Sequence, residues 1–167
     1  MPRRENRTIQ RRPETPDGAP CRDPLLTVTN RQRRVRFDLR QLRDRVGRAL
    51  PLCLSAPGPD APLILADLPE VIISVVSAEV MARVHLEFLQ IEGPTDVITF
   101  PYGEILICAA IALENAERFR TDVQDEITLY AIHGLLHLHG YDDISPESAR
   151  RMHSMQVNIL KAVQKCA

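Results

Sequence analysis

No run of apolar residues in this chain approaches the ~20 needed to cross a bilayer. The N-terminal stretch lacks the apolar core of a secretory signal. It is rich in Arg, but Pro13, Pro16, Pro20 and four acids make it a poor amphipathic transit peptide. No Cys-x-x-Cys pair is present. The four cysteines (Cys21, Cys53, Cys108, Cys166) stand too far apart for a zinc ribbon or a disulfide framework. Internal repeats and heptads are missing too, which sets aside repeat arrays and coiled coils. The expectation is a protein of a reducing cytoplasm, with no membrane attachment and no disulfide-linked partner.

What is present fits one globular unit. The chain has 167 residues, 44% of them hydrophobic, enough for one domain with a real core. The net charge of −1 hides an asymmetry. Residues 1–48 hold 14 Arg against 6 acids, a balance of +8, and residues 49–167 hold 7 Lys or Arg against 16 acids, a balance of −9. The cluster Arg31-Gln-Arg-Arg34-Val-Arg36 suits phosphates, or is simply a solvated basic face. Residues 1–24 are rich in Pro and charge, so a disordered basic tail is expected there, followed by a single domain over 25–167.

Residue patterns place the elements. Leu25–Thr29 starts a strand. Phe37–Leu50 reads as an amphipathic helix, with Leu39, Leu42, Val46 and Leu50 at helical spacing. Ser55–Pro62 is a loop by composition, and Leu63–Leu65 a short strand. The β-branched run Glu70–Val76 is a strand. Ser77 caps a helix through about Leu89, and Gly93-Pro94 breaks it. Asp96–Phe100 and Glu104–Cys108 suggest a hairpin around the turn Pro101–Gly103. Helices follow at Ala110–Phe119 and Asp125–His137, and a last one opens at Ser145-Pro146-Glu147 and runs to about Lys165. The pattern is α+β or α/β: a small mixed, mostly parallel sheet with one antiparallel member, covered by helices.

One stretch carries chemistry: His133-Gly-Leu-Leu-His137-Leu-His-Gly140-Tyr-Asp-Asp143. Histidines four apart share one helix face. Gly140 can end the helix in a left-handed turn and send the chain back. Asp143 can then join as third ligand. Two imidazoles and a carboxylate with a fourth position open make a catalytic zinc set, one ion per chain, although nickel, cobalt and iron accept the same donors. Asp142 is a rival ligand, or an orienting partner for an imidazole. His139 faces away on a continuous helix and is read as exposed or supporting. His153 lies on the last helix. Gly134 stands where His-Glu-x-x-His peptidases carry their general base, so peptidase chemistry by that route is disfavoured.

His-Gly-x-Leu-His-Leu-x-Gly-Tyr-Asp, with Glu147 and Met152 beyond it, resembles the YbeY family of metal-dependent endoribonucleases. A second block agrees. Gly93-Pro-Thr-Asp-Val-Ile-Thr-Phe-Pro101 and then Gly103-Glu-Ile-Leu-Ile-Cys108 are similar to the family's Pro-Thr-Asp-Val-Leu-Ser-Phe-Pro and Gly-Asp-Ile-x-Ile segments. The likeness covers about residues 60–165 well, 25–60 loosely and the first 24 not at all. It implies an α+β fold with the zinc-binding helix near the C-terminus. It also implies a single-strand-specific ribonuclease of 16S rRNA 3′-end maturation and ribosome quality control, with rRNA and the small ribosomal subunit as partners. Thr95 and Asp96 would line the substrate cleft.

Two departures stand out. Asp143 takes the place of the family's usual third His, which adds a negative ligand and weakens Lewis acidity. Leu89 takes the place of an Arg five residues before the Pro of Pro-Thr-Asp, an Arg thought to hold phosphate. Arg83 or the N-terminal arginines are candidate substitutes. No catalytic residue beyond the metal centre is assigned. The alternative is a zinc-containing assembly or RNA-binding factor with weak or no nuclease activity.

Overall fold

The computed structural model describes residues 23–58 and 64–165. Most of the expected basic tail, Cys21, Cys166 and Leu63 lie outside the described residues. Strand β1 (Leu25–Asn30) leads through a turn segment into helix α1 (Leu39–Leu54). Strand β2 (Glu70–Val76) and helix α2 (Ala78–Leu89) follow, then strands β3 (Val97–Thr99) and β4 (Glu104–Cys108). Helices α3 (Ala109–Phe119), α4 (Val123–Leu138) and α5 (Pro146–Gln164) complete the chain. The sheet order is β1-β2-β4-β3. β1 with β2 and β2 with β4 run parallel, and β3 pairs antiparallel to β4 as a hairpin. The fold is α+β with a small mixed sheet, as the sequence pattern predicts.

Alternation along the strands builds two cores. Val71, Ile73, Val75, Ile105 and Ile107 face the side covered by α1, α4 and α5. Val76, Leu106, Cys108 and Ile98 face the other side, under α2. This is the period-2 rule applied to a sheet covered on both faces. The capping residues act as their types require. Asp38 accepts hydrogen bonds from Arg40 N–H and Gln41 N–H, Ser77 accepts from Val80 N–H, and Ser145 and Ser148 form a reciprocal capping box at α5.

Two local expectations are corrected. Leu65 begins a 3-10 turn, Leu65–Asp67, instead of a strand. Asp67 N–H closes that turn on Ile64 C=O, and the Leu65 side chain is fully buried, so the segment plugs the core without pairing. Helix α1 continues through Pro51 to Leu54, because a proline in the last turns removes one hydrogen bond that the buried Cys53 helps offset by packing.

Gly103 is fixed by its turn. Its φ is +102°, and a Cβ there would stand 2.5 Å from the Glu70 carbonyl oxygen. Gly47, on the exposed face of α1, would meet nothing within 4 Å. Gly103→Ala should therefore cost about 2–4 kcal/mol, whereas Gly47→Ala should add up to about 1 kcal/mol; urea unfolding of the two variants checks both signs.

Candidate metal centre and its cleft

Helix α4 is buried on most of its circumference, as its all-round apolar character demands. Asp122 caps its start by accepting from Gln124 N–H. Its end follows the glycine-terminated pattern expected of Gly140. Gly140 takes φ +91°, its N–H donates to His137 C=O, and Tyr141 N–H donates back to Leu136 C=O, both at 2.9 Å. The chain reverses there and brings Asp143 back beside the helix.

His133, His137 and Asp143 come together. One ligand atom from each lies within 4.8 Å of the others. The two Nε2 atoms are 2.9 Å apart, and Asp143 Oδ2 stands 3.9 Å from His133 Nε2. Each ring is held from its other side. His137 Nδ1 meets the Tyr141 carbonyl at 3.0 Å, and His133 Nδ1 meets Gln156 Oε1 at 2.9 Å. Both of those oxygens only accept, so each Nδ1 carries the proton and each Nε2 presents a lone pair. Two lone pairs facing one another with a carboxylate alongside suit a shared cation. Two nitrogens each about 2.0–2.1 Å from a tetrahedral ion stand slightly farther apart than this pair. The donor set fits a divalent metal. Burial first, and the neighbouring His133 second, hold the His137 imidazole below its ordinary value, which keeps it neutral and able to ligate.

The cluster opens on a cleft of about 670 Å³ between α4, the end of α2 and β3. Asp96, Thr99, Phe88 and Leu89 line it with the three ligands. Thr95 does not reach the wall; its hydroxyl donates to Asp96 Oδ1 at 3.0 Å, and the same oxygen accepts Val97 N–H at 2.8 Å. Leu89 is 53% exposed and faces the cleft from the last turn of α2. Arg83 lies outside the cleft and lines a separate hollow. No Lys or Arg lines the metal cleft among the described residues.

Several sequence expectations need adjusting. Asp142 contacts neither imidazole; its carboxylate accepts Ile144 N–H, and its interaction with Ser148, followed by that backbone bond, holds it below the usual carboxylate value. It ties the loop to the start of α5. His139 is neither exposed nor beside the ligands. It is 2% exposed, because the helix ends under it and its Nε2 reaches Ala56 C=O at 3.1 Å. His153 is exposed and approaches Gln156 Nε2 through its Nδ1 at 3.4 Å. Gly134 is a packing requirement. A Cβ there would stand 2.7 Å from Ile105 Cγ2 and 3.1 Å from Thr99 Oγ1, so no glutamate fits at that position.

The sequence reading missed Gln156 and the Tyr141 carbonyl. Gln156 lies 23 residues from His133, on a helix whose rotation only tertiary packing fixes. A backbone carbonyl leaves no trace in residue type. Gly140 alone signalled the turn that delivers it.

Residues 27–164 match the family model described as Endoribonuclease YbeY. Curated proteins of that name resemble the chain. One from Chlorobium luteolum is 48% identical over 77 residues, 42% of this chain and 56% of that protein. One from Thermobifida fusca is 36% identical over 110 residues, 56% of this chain and 71% of that protein. One from Corynebacterium kroppenstedtii is 35% identical over 108 residues, 53% of this chain and 54% of that protein. The chain thus spans a little over half the length of the first and third of these relatives. A solution structure of a Thermotoga maritima protein shares the fold, with a TM-score of 0.53, 24% identity, and coverage of 83% of this chain and 89% of that one.

Gln156→Ala should lower divalent-metal affinity by about 10- to 100-fold by freeing the His133 ring, with Asp142→Ala close to wild type; isothermal titration of zinc into chelator-treated protein separates them. Acidification should also destabilise the metal-free protein. The unfolded His137 takes its proton near pH ~6.5 while the folded one resists it, so stability contributed by the neutral ring is present above that pH and is lost below it; chemical unfolding at pH values on either side of it reads the sign.

Proposed function

The chain belongs to the endoribonuclease YbeY family, and on that footing we propose that it is a metal-dependent endoribonuclease that cuts single-stranded RNA. Its expected setting is the cytoplasm, in 16S rRNA 3′-end maturation and ribosome quality control, with rRNA on the small ribosomal subunit as substrate. No helix among the described residues is long and apolar enough to cross a membrane. The observation that carries the reading is the facing pair of imidazole lone pairs. His133 and His137 are each oriented by an oxygen on Nδ1, and Asp143 stands beside them in an open cleft.

Those three residues would hold one zinc ion per chain, the metal that two imidazoles and a carboxylate suit. When bound, the ion supplies Lewis acidity toward a phosphate oxygen and toward water. The chain's own groups do the positioning. Gln156 and the Tyr141 carbonyl keep both rings in the ligating tautomer. Asp96, its Oδ1 fixed by Thr95 and Val97, presents a carboxylate to the same cleft. Gly134 brings the helix down onto β3 and β4, which sets the cleft's width.

One observation favours the second reading, a metal-containing RNA-binding or assembly factor with weak nuclease activity. Leu89 places an isobutyl group in the cleft, at the position where the family resemblance implies an Arg. It offers nothing to a phosphate.

Zinc-loaded wild type should cleave a single-stranded RNA substrate and lose that cleavage with EDTA or in His133→Ala, and Leu89→Arg should raise the rate by about tenfold or more. Cleavage by Leu89→Arg alone would select the second reading. RNA that is neither bound nor cut by either protein would sink the endoribonuclease reading.

A further inference from the structure

Beyond the metal cleft, on the other side of Phe88 and Phe100, lies a second hollow of about 370 Å³. Val76 and Leu106 are its buried lining, and three aromatic rings line it as well. Phe88 and Phe100 meet edge to face at 5.2 Å between centroids, and Phe100 stacks on Tyr102 at 5.3 Å with 20° between the planes. Phe88 is 58% and Tyr102 64% exposed. Three rings in one row, two of them mostly in water, form a contiguous patch and not scattered surface residues. Its rim is basic. Arg31, just after β1, and Arg83, on α2, both line the hollow. Neither pairs with a carboxylate among the described residues. The one acid in the wall, Glu104, accepts the Tyr102 hydroxyl at 3.1 Å.

We infer that this shelf is a second binding subsite, which stacks one or two bases of single-stranded RNA on Phe88, Phe100 and Tyr102 while Arg31 and Arg83 hold the adjoining phosphates. The inference rests on the endoribonuclease reading of the metal cleft and extends it. Continuity is the first argument. Phe88 and Phe100 line both hollows, so a strand whose phosphate lies at His133 and His137 runs directly onto the shelf. Chemistry is the second. Aromatic faces accept any base, and arginines beside them accept phosphate, which is the pairing that single-strand binding uses. A hydrophobic peptide would leave both guanidinium groups without a role. A duplex keeps its bases stacked on each other and cannot present them to the rings. Single-strand preference would then come from the shelf and not from the metal.

The chain supplies its own reporter. It has no Trp and three Tyr. Tyr130 and Tyr141 are 7% and 4% exposed, so Tyr102 is the tyrosine that a ligand meets. The experiment titrates zinc-loaded full-length protein with 2′-O-methyl oligouridine, which resists cleavage, and follows tyrosine emission and anisotropy of a labelled strand. Cleavage of ordinary single-stranded RNA is measured in parallel. Wild type should bind with quenching of tyrosine emission. Tyr102→Ala should weaken binding about tenfold, and Tyr102→Phe should bind like wild type. Arg83→Gln should weaken binding and lower the slope of log affinity against log salt by about 1. Zinc content should be unchanged in all three. If wild type binds and cleaves RNA but Tyr102→Ala and Arg83→Gln bind as wild type does, the subsite is overturned while the nuclease reading stands. An equal loss of binding for duplex RNA in Tyr102→Ala would also overturn it. Wild type that neither binds nor cleaves RNA would remove the nuclease reading and the subsite with it.

Discussion

The close seat of α4 on β3 and β4 is the contact on which the candidate site depends. A helix carrying ordinary side chains keeps its axis well away from a sheet, and Gly134 removes the side chain that would hold it off. Ile105 and Thr99 fill the space that a Cβ would need. The helix rotation that turns Gly134 down onto the sheet also turns His133 and His137 toward the cleft. The absent peptidase base and the geometry of the ligand pair are therefore one fact. A glutamate at position 134 would point into packed isoleucine, not toward a metal. The other flanks of α4 are fixed by α1. The Gln124 amide clamps the start of that helix by accepting Asp38 N–H at 2.8 Å and donating to Asp38 C=O at 3.2 Å, and Arg45 pairs with Asp125 at 2.7 Å. These polar ties lie near buried surface, where one partner without the other would be costly, so they fix register more than they add stability.

The end of α4 passes that precision on to the ligands. The Gly140 turn sets Tyr141, and Tyr141 is anchored twice, by its N–H to Leu136 C=O and by its hydroxyl to Pro57 C=O at 2.7 Å. His139, also turned inward, reaches Ala56 C=O. The segment after α1 thus holds the segment after α4. The Tyr141 carbonyl that orients His137 is in turn held by a side chain that never approaches the metal site. Gln156 does the same for His133 from α5, so the two imidazoles take their orientation from two different parts of the chain.

Local signals carried much of this structure. The β-branched run Glu70–Val76, the Gly103 hairpin and the capping serines at 77 and 145 depend on residue type within a few positions, and each was legible in the sequence. The pair His133 and His137 with Gly140 was legible for the same reason, because helix periodicity and a left-handed turn are local physics. What escaped depends on distant packing. The helix expected to end at Leu50 runs on to Leu54, with Leu50 and Cys53 buried along its last turns. His139 looked like a residue on the outer face, but the helix ends beneath it and folds it inward. Gln156 had no local signature at all. The rule that emerges is physical: spacing predicts which side chains share a face, and only the assembled core decides what lies opposite that face.

Charge in the cleft joins the metal site to the aromatic shelf. A divalent ion held by the two neutral imidazoles and the Asp143 carboxylate would keep a single positive charge. Asp96 lines the same cleft and offsets much of it, and Leu89 contributes none. With such an ion bound, a phosphodiester would meet a nearly neutral pocket, and the ion would supply local Lewis acidity but little long-range attraction for a strand. Attraction for a strand would then come from beyond the cleft. Residues 1–48 carry most of the chain's positive charge, a balance of +8 against −9 for residues 49–167. Arg31 belongs to that stretch, and the sheet order puts β1 beside β2, so its C-terminal end delivers that arginine to the shelf next to Arg83. On the proposed reading, recruitment and chemistry would be divided between neighbouring surfaces: arginines and aromatic rings would gather a strand on one side of Phe88 and Phe100, and the three ligand residues would meet its phosphate on the other.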